Sequence, residues 1–197
     1  MSTLTTARLR LEPYRDEHVD GLHALNSDPE VMRYLSGRPD TPEETRAIVA
    51  RVKARWAEVG YSWWAFVERE TGELVGAGCL QNLRREATTL PDLACPLEIG
   101  WRLRRDRWGR GYASEAAVAI GDFAFDVRHG PEIYAVCDPA NTASARVMQR
   151  LGMSDLGLQH WYGKEFATYR IDAATWRANA AARDATPLRR AHTVPGA

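Results

Sequence analysis

The chain is poor in several features, and each shortage excludes a class of protein. Its three cysteines, Cys79, Cys95 and Cys137, are odd in number and far apart. They supply neither a disulfide framework nor the spacing of a zinc site, so reduced thiols and no metal are expected. No apolar run approaches the length of a bilayer, and the opening MSTLTTARLRLEP has no apolar signal core. A cytoplasmic protein with no membrane partner is the expectation. Net charge is missing too, because 26 basic and 26 acidic residues cancel. The basic run at 102–110 is too local to make a case for nucleic acid. No internal repeat is evident, and nothing in the pattern chooses between a monomer and a homodimer.

What is present suits one globular domain: 197 residues, 45% of them hydrophobic, are enough for a core. The most informative stretch runs from Leu97 to Ala119. Leu97, Ile99, Trp101 and Leu103 alternate with Glu98, Gly100 and Arg102, the period of a half-buried strand. Ala116, Ala117, Ile120, Phe123 and Ala124 then form the apolar stripe of a helix. Between them lies RRDRWGRG, with four arginines and two glycines. A helix start offers free N–H groups and a positive dipole end, and Gly109 and Gly111 let a ligand come close to the main chain. An anion, above all a phosphate, is the expected guest; an Arg-rich surface turn is the plainer alternative. A dinucleotide fingerprint fits poorly, since Arg104 to Trp108 separate the strand from the first glycine.

Read in order, the chain predicts a first strand at Ala7 to Pro13 and a helix capped by Asp16 that runs to about Asn26. A short helix follows at Pro29 to Leu35. Thr41-Pro42-Glu43-Glu44 has the form of a capping box, opening a helix that Gly60 ends. Tyr61 to Arg69 and Glu73 to Asn82 read as a hairpin, and the polar, proline-broken 83–96 as a loop. Trp63 and Trp64 must point to opposite faces, one in the core, the other half exposed or lining a groove. After the central helix, which stops near His129-Gly130-Pro131, Glu132 to Cys137 completes a βαβ unit with two parallel strands. A helix begins after Asp138-Pro139-Ala140-Asn141, and the last hairpin, Met153 to Trp161 and Lys164 to Ile171, turns at Tyr162-Gly163. Trp176 pins the end of a domain spanning 1–177, and 178–197 read as a disordered tail. The fold class is α/β, a single domain on a mixed, mostly antiparallel sheet with a central parallel pair.

WGRGYASEA, preceded by LEIGWRL, resembles the acyl-CoA pyrophosphate loop of the GNAT acetyltransferase superfamily, with pattern Q/R-x-x-G-x-G/A. Trp108 stands where Gln or Arg is general, as in the branch resembling the N-terminal acetyltransferases of ribosomal proteins. DPANTASARVMQRLGM is similar to that family's N-x-x-S-x-x-V-x-x-x-x-G segment. The resemblance covers roughly Thr5 to Trp176. It implies acetyl-CoA as co-substrate, held by the main chain of Trp101 and Leu103, by the loop Trp108, Gly109, Arg110, Gly111, Tyr112 and Ala113, and by Asn141 and Ser144. Asn141 is also a natural helix cap, and Ser144 on its own is only a helix-surface hydroxyl. Many relatives place an acidic tyrosine where this chain has Met148, which moves the role of proton donor to the leaving thiolate onto Ser144.

Amide formation also needs a base, and Glu98, on the opposite side of its strand from Leu97 and Ile99, is the candidate; a solvent-facing carboxylate is the alternative. His160, Trp161 and Tyr162 are further candidates for acid, base or acceptor lining. An α-amine near pKa 7.7–8.0 suits one water-relayed carboxylate better than a lysine near 10.4. The expected activity is acetyl transfer to a protein N-terminal α-amine or a small-molecule amine. A non-catalytic acyl-CoA-binding sensor is the competing expectation.

Overall fold

The computed structural model describes residues 2–185. Its frame is one sheet of eight strands in the order β1-β2-β3-β4-β5-β6-β8-β7. All neighbours are antiparallel except β5 and β6. The strand expected over Ala7 to Pro13 forms from Leu9 onward as β2 (Leu9–Pro13), and a further two-residue strand, β1 (Leu4–Thr5), precedes it; Thr6 turns the chain between them with its hydroxyl on the Leu9 carbonyl at 3.2 Å. Asp16 does not cap the next helix. The Arg15 N–H instead donates to His18 Nδ1 at 3.2 Å over a single 3-10 turn, while Asp16 meets Lys53 Nζ at 2.6 Å. Helix α1 (Val19–Asn26) follows. The short helix α2 (Pro29–Met32) stops before Leu35, since the Leu35 and Gly37 N–H groups both fold back to the Met32 carbonyl at 3.0 Å.

The capping box forms as the sequence predicts. Glu44 N–H donates to Thr41 Oγ1 at 3.2 Å, Thr41 N–H donates to Glu44 Oε2 at 2.8 Å, and α3 (Pro42–Val59) ends at Gly60 with φ 77°. Its buried side, Val49, Val52 and Trp56, packs on the sheet, with Trp56 edge-on to Trp64 at 4.9 Å. Trp64 is fully buried and Trp63, on the opposite face of β3 (Trp63–Glu68), is half-buried. The hairpin partner β4 (Leu74–Asn82) carries β5 (Leu97–Leu103) along its other edge.

Helix α4 (Tyr112–Asp122) widens into a π-turn at Phe123–Val127 before β6 (Glu132–Cys137). Then come α5 (Thr142–Arg150), β7 (Ser154–Trp161) and β8 (Lys164–Asp172). The β7–β8 turn holds Tyr162 at φ 53° and Gly163 at φ 76°, the signs of a two-residue hairpin turn. The chain continues as helix α6 (Ala173–Ala185), so the segment expected as a tail from Ala178 begins inside a helix. Residues 186–197 of that expected tail lie outside the described residues. Trp176 anchors α6: it is buried, and its indole N–H donates to Asp122 Oδ1 at 2.8 Å.

Candidate active site

The site begins where α4 starts. Its first backbone hydrogen bond runs from Glu115 N–H to the Gly111 carbonyl at 3.1 Å. The N–H groups of Tyr112, Ala113 and Ser114 come earlier and have no carbonyl one turn back to receive them. Gly109 at φ 72° and Gly111 at φ 81° fold the preceding loop into a conformation that costs a side-chain-bearing residue roughly 1 kcal/mol or more. A Cβ at Gly109 would meet nothing within 4 Å, so the conformation and not crowding selects glycine there. These N–H groups, beside the positive end of the helix, are donors of the kind an anion takes.

Three interactions hold the loop, and none is visible locally in the sequence. The Trp108 indole N–H donates back to the Leu103 carbonyl at 2.8 Å, although its ring is 48% exposed. Arg8 Nη1 donates to the Arg110 carbonyl at 2.8 Å and its Nη2 pairs with Glu115 at 2.6 Å. The buried Tyr112 hydroxyl donates to Glu68, so this residue's side chain faces inward and only its N–H faces a ligand.

Strand β5 leads from the loop into the body. Arg104 N–H donates to Val75 on β4 at 2.9 Å, and the alternation of an antiparallel pair then turns Arg102 and Gly100 toward β4 as well. Ile99, Trp101 and Leu103 therefore point their main-chain groups toward β6. Among the described residues β5 and β6 are in register only at Glu98 and Tyr134. Beyond that point the strands diverge, which leaves the Trp101 and Leu103 N–H groups on an open seam.

A cavity of about 710 Å³ opens beside this seam, in the size range of small-molecule sites. Glu98, Gly100, Trp101, Asn141 and Ser144 all line it. Glu98 and Arg102 share one face of β5, and Gly100 between them adds no side chain. The Glu98 carboxylate is 6% exposed; it accepts from Tyr162 Oη and, at 3.1 Å, from Gln81 Nε2. Burial pushes its pKa above the usual carboxylate range, and the two hydrogen bonds and the charge of Arg84 offset part of that. Burial and the adjacent carboxylate push Tyr162 up, so it stays a donor. Asn141 Oδ1 accepts from Ser144 N–H at 3.1 Å, fulfilling its role as cap, and places the half-buried Ser144 at the cavity wall.

The structure brings together Glu98, Trp101, Asn141 and Ser144, while Leu103 and the loop 108–113 lie outside the cavity, at the other end of β5. Tyr162 reaches it, but His160 and Trp161 do not. His160 is exposed on the outer strand, and Trp161 packs with Leu83 and Phe166 in a small second core. Met148 is buried in the main core, 2% exposed. Trp63 lines the cavity, its indole N–H on Gln81 Oε1 at 3.2 Å, so the groove-lining alternative holds for it. Gln81 and Arg84 carry no local signal in the sequence: pairing across β4 and β5 sets Gln81 opposite Glu98, and Arg84 lines the cavity two residues beyond the end of β4. Elsewhere Glu12, Glu17 and His18 cluster within 4.8 Å, but Arg10 and Arg15 already pair with Glu12.

Comparison with known proteins finds relatives of the whole domain. Residues 8–154 match the family model described as an acetyltransferase (GNAT) domain. YkkB of Bacillus subtilis (strain 168) is 34% identical over 84% of this chain and 93% of its own. The FsC-acetyl coenzyme A-N(2)-transacetylase of Aspergillus fumigatus is 32% identical over 77% of this chain and 65% of its own length. A crystal structure of an acetyltransferase from Agrobacterium tumefaciens superposes with a TM-score of 0.72 at 28% identity, covering 87% of this chain and 94% of that one.

Proposed function

The chain belongs to the GNAT acetyltransferase family, and from that premise we propose that it transfers an acetyl group from acetyl-CoA directly to a primary amine, either a protein N-terminal α-amine or the amine of a small molecule. One arrangement supports the reading above all: a buried carboxylate, an unpaired edge of β5 and, where the chain leaves that strand for α4, N–H donors without a protein acceptor follow one another in order. The donor molecule, when bound, supplies an activated acyl carbonyl. The N–H groups of Gly109 to Ser114 bind its diphosphate, and those of Trp101 and Leu103 hold the arm and draw electron density from the carbonyl.

Glu98 accepts the proton that the amine must lose, directly or through one water. Its raised pKa makes it a stronger base than an exposed carboxylate. Ser144, at the first turn of α5, returns a proton to the departing thiolate. The name of the Aspergillus relative, an acetyl-CoA-dependent N-transacetylase, supports the same donor. No helix among the described residues is long and apolar enough to cross a membrane, and three free cysteines fit a reducing cytoplasm.

The test is thiol release over a panel of amines, with product masses, for the native protein, Glu98→Gln and Ser144→Ala. Acetylated product that falls with both substitutions supports the assignment. Tight CoA binding with no amine acetylated replaces it with the sensor reading.

A further inference from the structure

Five cationic and three carboxylate side chains line the cavity, so its walls carry an excess of positive charge. Most of the cations have partners. Arg102 Nε donates to Asn26 Oδ1 at 3.1 Å, its Nη2 to Tyr14 Oη at 3.4 Å, and its guanidinium lies 4.5 Å from the Trp63 ring centre. Arg55 pairs with Glu58 at 3.4 Å and Lys164 with Asp138 at 4.0 Å. Arg84 differs. Among the described residues no carboxylate lies within ion-pair distance of it, and its Nε is buried without a hydrogen-bond partner. Its guanidinium carbon stands 5.0 Å from the ring centre of Tyr162, the residue that donates to Glu98.

The backbone of Arg84 is fixed. Tyr162 N–H donates to its carbonyl at 2.8 Å, and the preceding Leu83 is fully buried with its N–H on Pro96 at 2.9 Å. Nor is it an extension of the diphosphate site. Asn82, two residues earlier, pairs with Leu97 at the amino end of β5, while the loop follows Leu103 at the other end. Six residues of strand at about 3.3 Å each separate them by roughly 20 Å.

Resting on the acetyltransferase reading above, we infer that the acceptor is an amino-acid-like amine whose own carboxylate is bound by Arg84, which places the amine at Glu98. Arg84 lines the cavity, and the two terminal nitrogens of its guanidinium offer the forked donors that a carboxylate takes in pairs. A polyamine would set further positive charge against Arg84 and its neighbours. The ion pair also helps the chemistry: a carboxylate beside an amine holds it protonated, and neutralising that carboxylate favours the uncharged amine that attacks. The bond formed is amine nitrogen to acyl carbon, the bond broken is acyl carbon to sulfur, and the amine proton leaves through Glu98.

The experiment uses the full chain with acetyl-CoA and the proteinogenic amino acids, each beside its primary amide and its decarboxylated amine, with spermidine and a peptide N-terminus as further acceptors. At least one amino acid should exceed its amide tenfold or more in kcat/KM, the size expected for one charge-assisted pair. Arg84→Gln should raise KM for that acid about tenfold or more and bring the acid-to-amide ratio near one, and Arg84→Lys should recover part of the preference. If Arg84 served only to adjust Glu98, its substitution would move the pH profile equally for acid and amide and leave their ratio intact; that outcome overturns the inference, as does preference for spermidine, amides or the peptide. Calorimetry with N-acetyl amino acids against their amides decides the matter independently of turnover. If no amine is acetylated the acyl-transfer reading fails, while tighter binding of the acid that Arg84→Gln removes still supports a carboxylate site at Arg84, and equal affinity for acid and amide overturns it.

Discussion

The Tyr162 hydroxyl donates to the Glu98 carboxylate, so the turn of the last hairpin holds the carboxylate proposed as base on the central strand. The bond favours the ionised form of Glu98, against the burial that favours the protonated one. Removing it should raise the Glu98 pKa further. Activity that depends on ionised Glu98 is lost as pH falls through that pKa. Tyr162→Phe is therefore expected to shift the acidic limb of the kcat/KM profile to higher pH, and Glu98→Gln to remove that limb with a loss on the order of 10²–10⁴-fold. An acidic limb at the same pH in Tyr162→Phe would exclude this coupling.

The same burial has a consequence for stability. A carboxyl whose folded pKa lies above its unfolded value binds more protons in the native state, so between those two values stability falls as pH rises. Glu98 accordingly opposes folding at neutral pH and not at pH values below the ordinary carboxylate range, where both states hold the proton. Glu98→Gln keeps an oxygen to accept from Tyr162 and carries no charge. Its unfolding midpoint should exceed that of the native chain at pH 7, with the gain vanishing in acid; thermal melts across pH decide it.

Much of the frame was legible because its signals are local. The capping box at Thr41 and Glu44 and the period-two run of β5 each depend on neighbours a few residues apart, and each forms where expected. The start of α1 was misread because Asp16 looks like a cap, but His18 accepts the Arg15 N–H and Lys53, 37 residues away, claims the aspartate. The site divides in the same way. Gly109, Gly111 and Asn141 announce themselves by turn and cap chemistry. Arg84, Gln81 and the link from Arg8 to Glu115, 107 residues apart, exist only once the sheet order is known.

At the loop, the two glycines make a prediction that separates donor binding from chemistry. Gly109→Ala and Gly111→Ala each place a Cβ on a backbone at φ 72° or 81°, strained by roughly 1–2 kcal/mol. Relief of that strain turns N–H groups away from the diphosphate. KM for acetyl-CoA should rise about tenfold, with KM for the amine little changed. An unchanged KM for acetyl-CoA in both variants would place the diphosphate elsewhere.

Helix α6 gives a prediction of opposite signs from one residue. Gly121 lies within α4, where alanine is ordinarily better than glycine by about 0.5–1 kcal/mol. Here a Cβ would stand 2.3 Å from the Trp176 ring, which is buried, bonded to Asp122 and packed 5.5 Å from Phe125. A ring held on so many sides cannot yield, so Gly121→Ala should destabilise the chain by about 1–3 kcal/mol. Trp176→Ala should cost about 3–5 kcal/mol through the cavity it leaves. With the ring gone the obstruction to Gly121→Ala goes as well, and only the helical preference remains. In the Trp176→Ala background the same Gly121→Ala substitution should therefore stabilise, and a double-mutant cycle by denaturant unfolding reads the reversal directly. Additive effects would mean that α6 does not press Trp176 against α4 in solution.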